Sequence, residues 1–148
     1  MLCVADALDS LNWIKGLGGV NTTMLRVNRN FQVVQGWLDN QDWVANLVDI
    51  DSHRSNTSVC LKIIENEFLS LSIDQQRQFV NQIVSLLESE DVAYDIGGHR
   101  EAPPGLRIWC GATVENADLC SLLPWLTWAF DTLKHKFKNK KNYILNLE

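Results

Sequence analysis

The residues best suited to chemistry are concentrated between Tyr94 and Glu115, in the run YDIGGHREAPPGLRIWCGATVE. Two arginines and a histidine, Arg100, Arg107 and His99, fall within nine positions there. A guanidinium is a planar fork that grips a carboxylate or phosphate through two parallel hydrogen bonds. Arg107 stands in the apolar run Leu106 to Cys110, which reads as a strand. Its side chain therefore alternates to the face opposite Leu106 and Ile108. An arginine half-buried in this way needs an anion beside it. The plain answer is a salt bridge to a carboxylate of the chain itself. The functional answer is a ligand: Arg107 for one anion and His99 with Arg100 for another, an arrangement suited to a small dianionic molecule. His99 taken alone is equally well explained as a solvated loop residue.

Other chemistry-bearing residues have blander readings. Asp51 and His53 lie in the polar stretch DSHRSN ahead of a strand and read as a turn. The cysteines, Cys3, Cys60, Cys110 and Cys120, contain no CxxC pair and read as buried free thiols. They lack the tight clustering a metal site needs, so no metal is expected. Unpaired thiols fit a reducing, cytoplasmic location. Lys62 reads as an outward strand residue, and the basic run from Lys134 to Lys141 as a solvated terminal segment. Trp13, Trp37, Trp43, Trp125 and Trp128 are expected in core and interface packing.

The elements that must position these groups follow from pattern. Ala5 to Lys15 reads as a helix stopped by Gly16, Gly18 and Gly19, with Leu8, Leu11 and Ile14 on one face. Asn21 or Thr22 then caps a second helix, whose stripe is Met24, Val27, Phe31, Val34 and Leu38. Trp43 to Ile50 and Thr57 to Ile64 read as strands. Ser72 and Gln75 form a capping-box pattern before a helix reaching about Glu88, with Phe79, Val80, Ile83, Val84 and Leu87 inward. Val92 to Ile96 and Leu106 to Cys110 complete a sheet of about four strands. A last helix starts near Asn116 and reaches about Lys136, kinked or split by Pro124. The fold class is α+β, helices packed on a small sheet.

The 148 residues and 46% hydrophobic content suffice for one domain with a core. A net charge of -5 argues against a nucleic-acid partner. No apolar run reaches the ~20 residues of a membrane span. The first ten residues lack a basic region and do not read as a signal peptide. Their apolar start at Leu2 reads as though the chain began inside an element of a longer protein.

A resemblance sharpens this reading. Arg54 to Ile63, Val92 to Gly97, Ala102 to Glu115 and Pro124 to Ala129 resemble the C-terminal domain of the phosphoserine aminotransferases, which belong to the class V pyridoxal-phosphate aminotransferases. The longest and most specific motif is Pro-Pro-Gly-Leu-Arg-Ile-Trp-Cys-Gly at residues 103–111. The similarity runs to about Phe130, and the opening MLCVADALDSLNWIKGLGG resembles the family's interdomain helix. The resemblance implies a small domain of a fold-type I aminotransferase, divided as 1–20 linker helix, 21–134 small domain and 135–148 tail. It implies that Arg107 grips the substrate α-carboxylate and that Arg100 binds the substrate phosphate. His99 matches the neighbouring position in the substrate-binding set. The family reaction moves an amino group from glutamate to 3-phosphohydroxypyruvate, giving O-phosphoserine and 2-oxoglutarate, in serine biosynthesis.

In that family pyridoxal phosphate is anchored by a lysine of the large domain. No lysine here stands in such a motif, so this chain is expected to bind no cofactor alone, to carry no catalytic residue and to be inactive without its large-domain partner. The family is homodimeric. Two other functions stay open: an α+β interaction module without catalysis, and the small domain of an aminotransferase for another keto acid.

Overall fold

Alternation of half-buried and buried positions from Ser58 to Ile63 makes that segment a strand with one buried face, and the rest of the fold assembles on it. A computed structural model describes residues 2–145, with side chains for residues 2–135. Helix α1 spans Leu2–Gly16 and α2 Val20–Leu38. Strand β1 (Val44–Asn46) and a one-turn 3-10 helix (Asp51–His53) lead to β2 (Ser58–Ile63). A short α3 (Asn66–Leu69) precedes α4 (Ile73–Ser89), β3 (Gly105–Trp109) and α5 (Asn116–Leu145). The sheet is antiparallel in the order β1-β2-β3. Its register sets Arg107 opposite Cys60, Leu106 opposite Leu61 and Ile108 opposite Val59.

The α+β class expected from the pattern is what forms, with three strands rather than about four. The segment from Val92 to Ile96 is not a strand because its ends turn. Asp91 and Asp95 have φ of +54° and +52°, the left-handed region that breaks an extended chain. Only Gly97 makes a β-bridge, to Leu106. The Arg107 amide donates to the Ile96 carbonyl at 2.8 Å and the Gly98 amide to Gly105 at 3.0 Å. That short pairing covers the edge of β3.

Between the sheet and α2, α4 and α5 lies one core. Val34, Ile83, Leu87, Leu126 and Cys110 are wholly buried in it. An aromatic chain runs through it: Trp43 stacks on Phe130 with centroids 4.1 Å apart, and Phe79 meets both Phe130 and Phe68 edge to face. The capping box of Ser72 and Gln75 forms in both directions at the start of α4.

Several local expectations are corrected. Asn21 and Thr22 do not cap α2, which starts after Gly19. Thr22 and Thr23 instead donate their hydroxyls to the carbonyls of Gly18 and Gly19, four residues back. The apolar face of α1 is not covered by this chain: Leu8 and Leu11 are exposed, and α1 buries no residue. Met24 is exposed too. Pro124 neither ends nor splits α5, which continues to Leu145. It lies eight residues past the helix start at Asn116, inside the helix, where it removes one backbone donor without ending the element. Of the tryptophans, Trp43 is buried, while Trp13, Trp125 and Trp128 stay substantially exposed. Cys110 is buried and Cys60 half-buried, but Cys3 and Cys120 are exposed. In the basic run Lys134 is held by Glu65 at 3.2 Å, and the side chains of residues 136–141 lie outside those described.

Candidate functional site

Arg107 sits at the middle of β3, with Leu106 and Ile108 beside it turned into the core. Alternation along the strand thus presents its guanidinium on the far face, as the pattern requires. There it lines a cleft of about 460 Å³ with Tyr94, Asp95, Trp109 and Asp118, whose lining is completed by apolar residues that include Ile96 and Leu119. Its Nη2 donates to Asp95 Oδ2 at 3.0 Å. The internal carboxylate that a half-buried arginine calls for is therefore present. It is a solvent-exposed one, with 91% of the Asp95 side chain accessible against 38% for Arg107.

Asp95 reaches Arg107 from the irregular segment that precedes Gly97. The left-handed backbone at Asp91 and Asp95 bends this segment into an arc. The Tyr94 hydroxyl donates to Asp91 Oδ1 at 2.6 Å within the arc. The hydrogen bond to the Asp91 carboxylate, and then its charge, push the Tyr94 phenol above its usual pKa.

His99 and Arg100 line a different hollow, of about 290 Å³, with Arg77, Asn81 and the Pro103–Gly105 turn. The loop is a tight structure. Ala102 donates its amide to the His99 carbonyl at 2.8 Å, and Glu101 donates its amide to His99 Nδ1 at 3.3 Å. The Arg100 side chain is 86% accessible and stands 3.6 Å from the Glu101 carboxylate. Arg77 of α4 donates Nη1 to the Arg100 carbonyl at 3.0 Å. The structure thus brings His99 and Arg100 together and sets Arg107 apart from them, in a cleft lined by residues 92–96 of the segment where the second hollow takes up from Gly97.

Three residues that sequence reasoning missed fix this segment. Arg77 is one. The other two are on α2. Asn30, fully buried, donates Nδ2 to the carbonyls of Cys110, Gly111 and Val114. Arg26 donates to the Ala112 and Val114 carbonyls and pairs with Glu115. Asn30 had one legible signal: it lies three residues after Val27 and four before Val34, on the apolar stripe of α2. A polar residue on such a stripe has to find buried partners.

The turn expected around Asp51 and His53 is seen directly, as a 3-10 turn. Arg54 closes it by donating to the carbonyls of Val48 and Asp49 and pairing with Asp51. Among the described residues no group of three or more His, Cys, Asp or Glu is placed to hold a metal. No helix among them is long and apolar enough to cross a membrane. No lysine among the described residues lines either hollow. Lys62 pairs with Asp49 at 2.6 Å, Lys134 pairs with Glu65, and Lys15 lies on α1. The Lys62 hydrogen bond and charge hold the Asp49 carboxyl below its ordinary pKa.

This arrangement of a small antiparallel sheet backed by helices is the fold of part of a phosphoserine aminotransferase. The enzyme from Bacillus circulans subsp. alkalophilus superposes on 82% of this chain and 30% of its own, with a TM-score of 0.64 at 18% identity. A second phosphoserine aminotransferase, studied for radiation damage of its Schiff base, covers the same shares with a TM-score of 0.60 at 17% identity. The sequence is closer to two curated relatives. The phosphoserine aminotransferases of Methanosarcina mazei and Methanosarcina barkeri are each 39% identical over 134 residues, which is 90% of this chain. The chain spans about a third of their length, 34% in each case. No protein-family model matches the chain. The resemblance read from the motifs therefore holds: this chain is a relative of part of the phosphoserine aminotransferases.

Proposed function

We propose that the chain serves as the C-terminal, substrate-holding part of a phosphoserine aminotransferase. In this reading Arg107 takes the α-carboxylate of the amino or keto acid, and Arg100 with His99 takes the phosphate. The reaction served is amino transfer from glutamate to 3-phosphohydroxypyruvate, giving O-phosphoserine and 2-oxoglutarate, in the cytoplasm and in a homodimer. The observation that carries the reading is the 39% identity to phosphoserine aminotransferases over nearly the whole chain. The presence of a part-buried guanidinium in an open cleft with apolar lining is what such a role needs.

Residues 1–20 are read as a linker helix, residues 21–134 as the small domain and residues 135–148 as a tail. The exposed apolar face of α1, Val4, Leu8 and Leu11, supports a covering partner such as the large domain. Pyridoxal phosphate supplies the electron sink for amino transfer. The chain's own part is to bind and orient: its arginines fix the two ends of the substrate and exclude the wrong acid by leaving an anion site unfilled.

A ligand titration tests this. O-phosphoserine should bind the chain more tightly than serine. Arg100→Ala should erase the difference, while Arg107→Ala should weaken both ligands. The chain alone, given glutamate, 3-phosphohydroxypyruvate and pyridoxal phosphate, should form no O-phosphoserine. Equal binding of O-phosphoserine and serine by the unaltered chain overturns the phosphate assignment.

A further inference from the structure

Arg107 is not an empty receptor. Asp95 holds it with a single bond, from one carboxylate oxygen to one guanidinium nitrogen, at 3.0 Å. The pairing leaves the rest of the fork without a hydrogen-bond partner among the described residues. Asp95 is presented by a left-handed backbone at φ +52°, in an arc bounded on its other side by Asp91 at φ +54°. Nothing else ties the Asp95 side chain among the described contacts, and it is almost wholly accessible. A second carboxylate, Asp118, lines the same cleft without reaching Arg107. Asp95 is therefore placed to be swung away, at little cost to the core.

We infer that Asp95 is an internal stand-in for the substrate carboxylate, occupying Arg107 in the free chain and yielding to an incoming acid that binds the fork with both oxygens. This rests on the reading of Arg107 as a carboxylate site and adds a residue that sets its affinity. A bidentate carboxylate exchanges one charge-assisted bond for two, so the substrate wins. An exposed ion pair is weak, so the exchange is easy. A ligand without an anionic group lacks the means to displace Asp95, and the pair thus filters for acids.

The test follows the Arg107 Nε–Hε resonance while L-glutamate is titrated into the full chain. Asp95→Asn keeps the side-chain volume and suits the left-handed backbone, so the fold is retained. It should bind glutamate about two- to five-fold more tightly than the unaltered chain, the range an exposed ion pair commands. Asp118→Asn removes the same charge from the same cleft and should gain less. Glutamate that shifts Arg107 with equal affinity in the unaltered and Asp95→Asn chains overturns the stand-in role alone. Equal gains in the two variants do the same, by reducing it to net charge. An Arg107 resonance unmoved by glutamate in both the unaltered chain and Asp95→Asn overturns the carboxylate site itself, and the stand-in with it.

Discussion

The guanidinium of Arg77 donates to the carbonyl of Arg100 at 3.0 Å, so helix α4 holds the loop whose side chains carry the phosphate reading. The bond reaches across 23 positions of sequence and is exposed to solvent. Its contribution to global stability is that of one ordinary hydrogen bond, about 1 kcal/mol. Its local effect is larger, because the loop has few other ties to the helices. Arg77→Ala should leave the melting temperature within a few degrees of the parent. It should also speed amide hydrogen exchange at Ala102 and Gly98, whose bonds close the loop. Unchanged exchange at both amides would show that the loop holds itself.

The same logic applied to α2 predicts a much larger effect. Asn30 satisfies the carbonyls of Cys110, Gly111 and Val114 from a fully buried position. Asn30→Leu matches the volume and the apolar stripe, yet takes the buried amide donor from the Cys110 carbonyl, while Gly111 keeps the Val114 amide and Val114 keeps Arg26. One such group costs about 1–3 kcal/mol. The variant should lose about 2 kcal/mol in urea unfolding, with the turn after β3 the first region to open by hydrogen exchange. A loss no larger than that of an exposed substitution would mean the turn finds other partners.

How much of this was legible depends on whether the deciding contact is local. The alternation in β2, the apolar stripe of α4 and the capping box of Ser72 and Gln75 are set by spacing within one segment, and all three are as the sequence reads. The class α+β follows from them. The segment from Val92 to Ile96 has a strand's composition, but two left-handed aspartates and a single bridge decide its shape. Neither is visible in hydrophobicity. The α1 face was legible as apolar, but pattern alone does not say whether this chain covers it. Arg107 was legible as an arginine needing an anion. That the anion is Asp95, and that Arg77 and Asn30 brace the segment, are long-range facts of packing.

Gly105 opens β3 two residues ahead of Arg107, and there the absence of a side chain is structural. A Cβ at Gly105 would lie 2.0 Å from the backbone carbonyl oxygen of Leu61. No rotamer change relieves a clash with main chain, so the pairing of β2 with β3 would have to shift. Gly105→Ala should cost about 3 kcal/mol, the upper range for overpacking. It should also displace Arg107, lowering glutamate affinity at the Arg107 resonance. Gly16, where a Cβ meets nothing within 4 Å, supplies the contrast. Gly16→Ala should leave both quantities near the parent values.

Cys110 provides a pH-dependent test of the core beneath β3. Its thiol is wholly buried, and burial pushes its pKa from 9.0 up to about 11. At pH 8 the exposed Cys3 and Cys120 should react quickly with an aromatic disulfide reagent, and half-buried Cys60 more slowly. Cys110 should react only at the rate of unfolding. The sign of the linkage follows from the raised value. Between pH 9.0 and about 11 the unfolded thiol loses its proton while the folded one keeps it. The folded state then holds more protons, so stability falls as pH rises through that window. Cys110→Ala removes this contribution and should flatten the decline in urea-unfolding free energy above pH 9.0, even if the substitution lowers stability at neutral pH. Labelling of Cys110 in the folded chain as fast as that of Cys120 would contradict the closed core on which β3 and Arg107 rest.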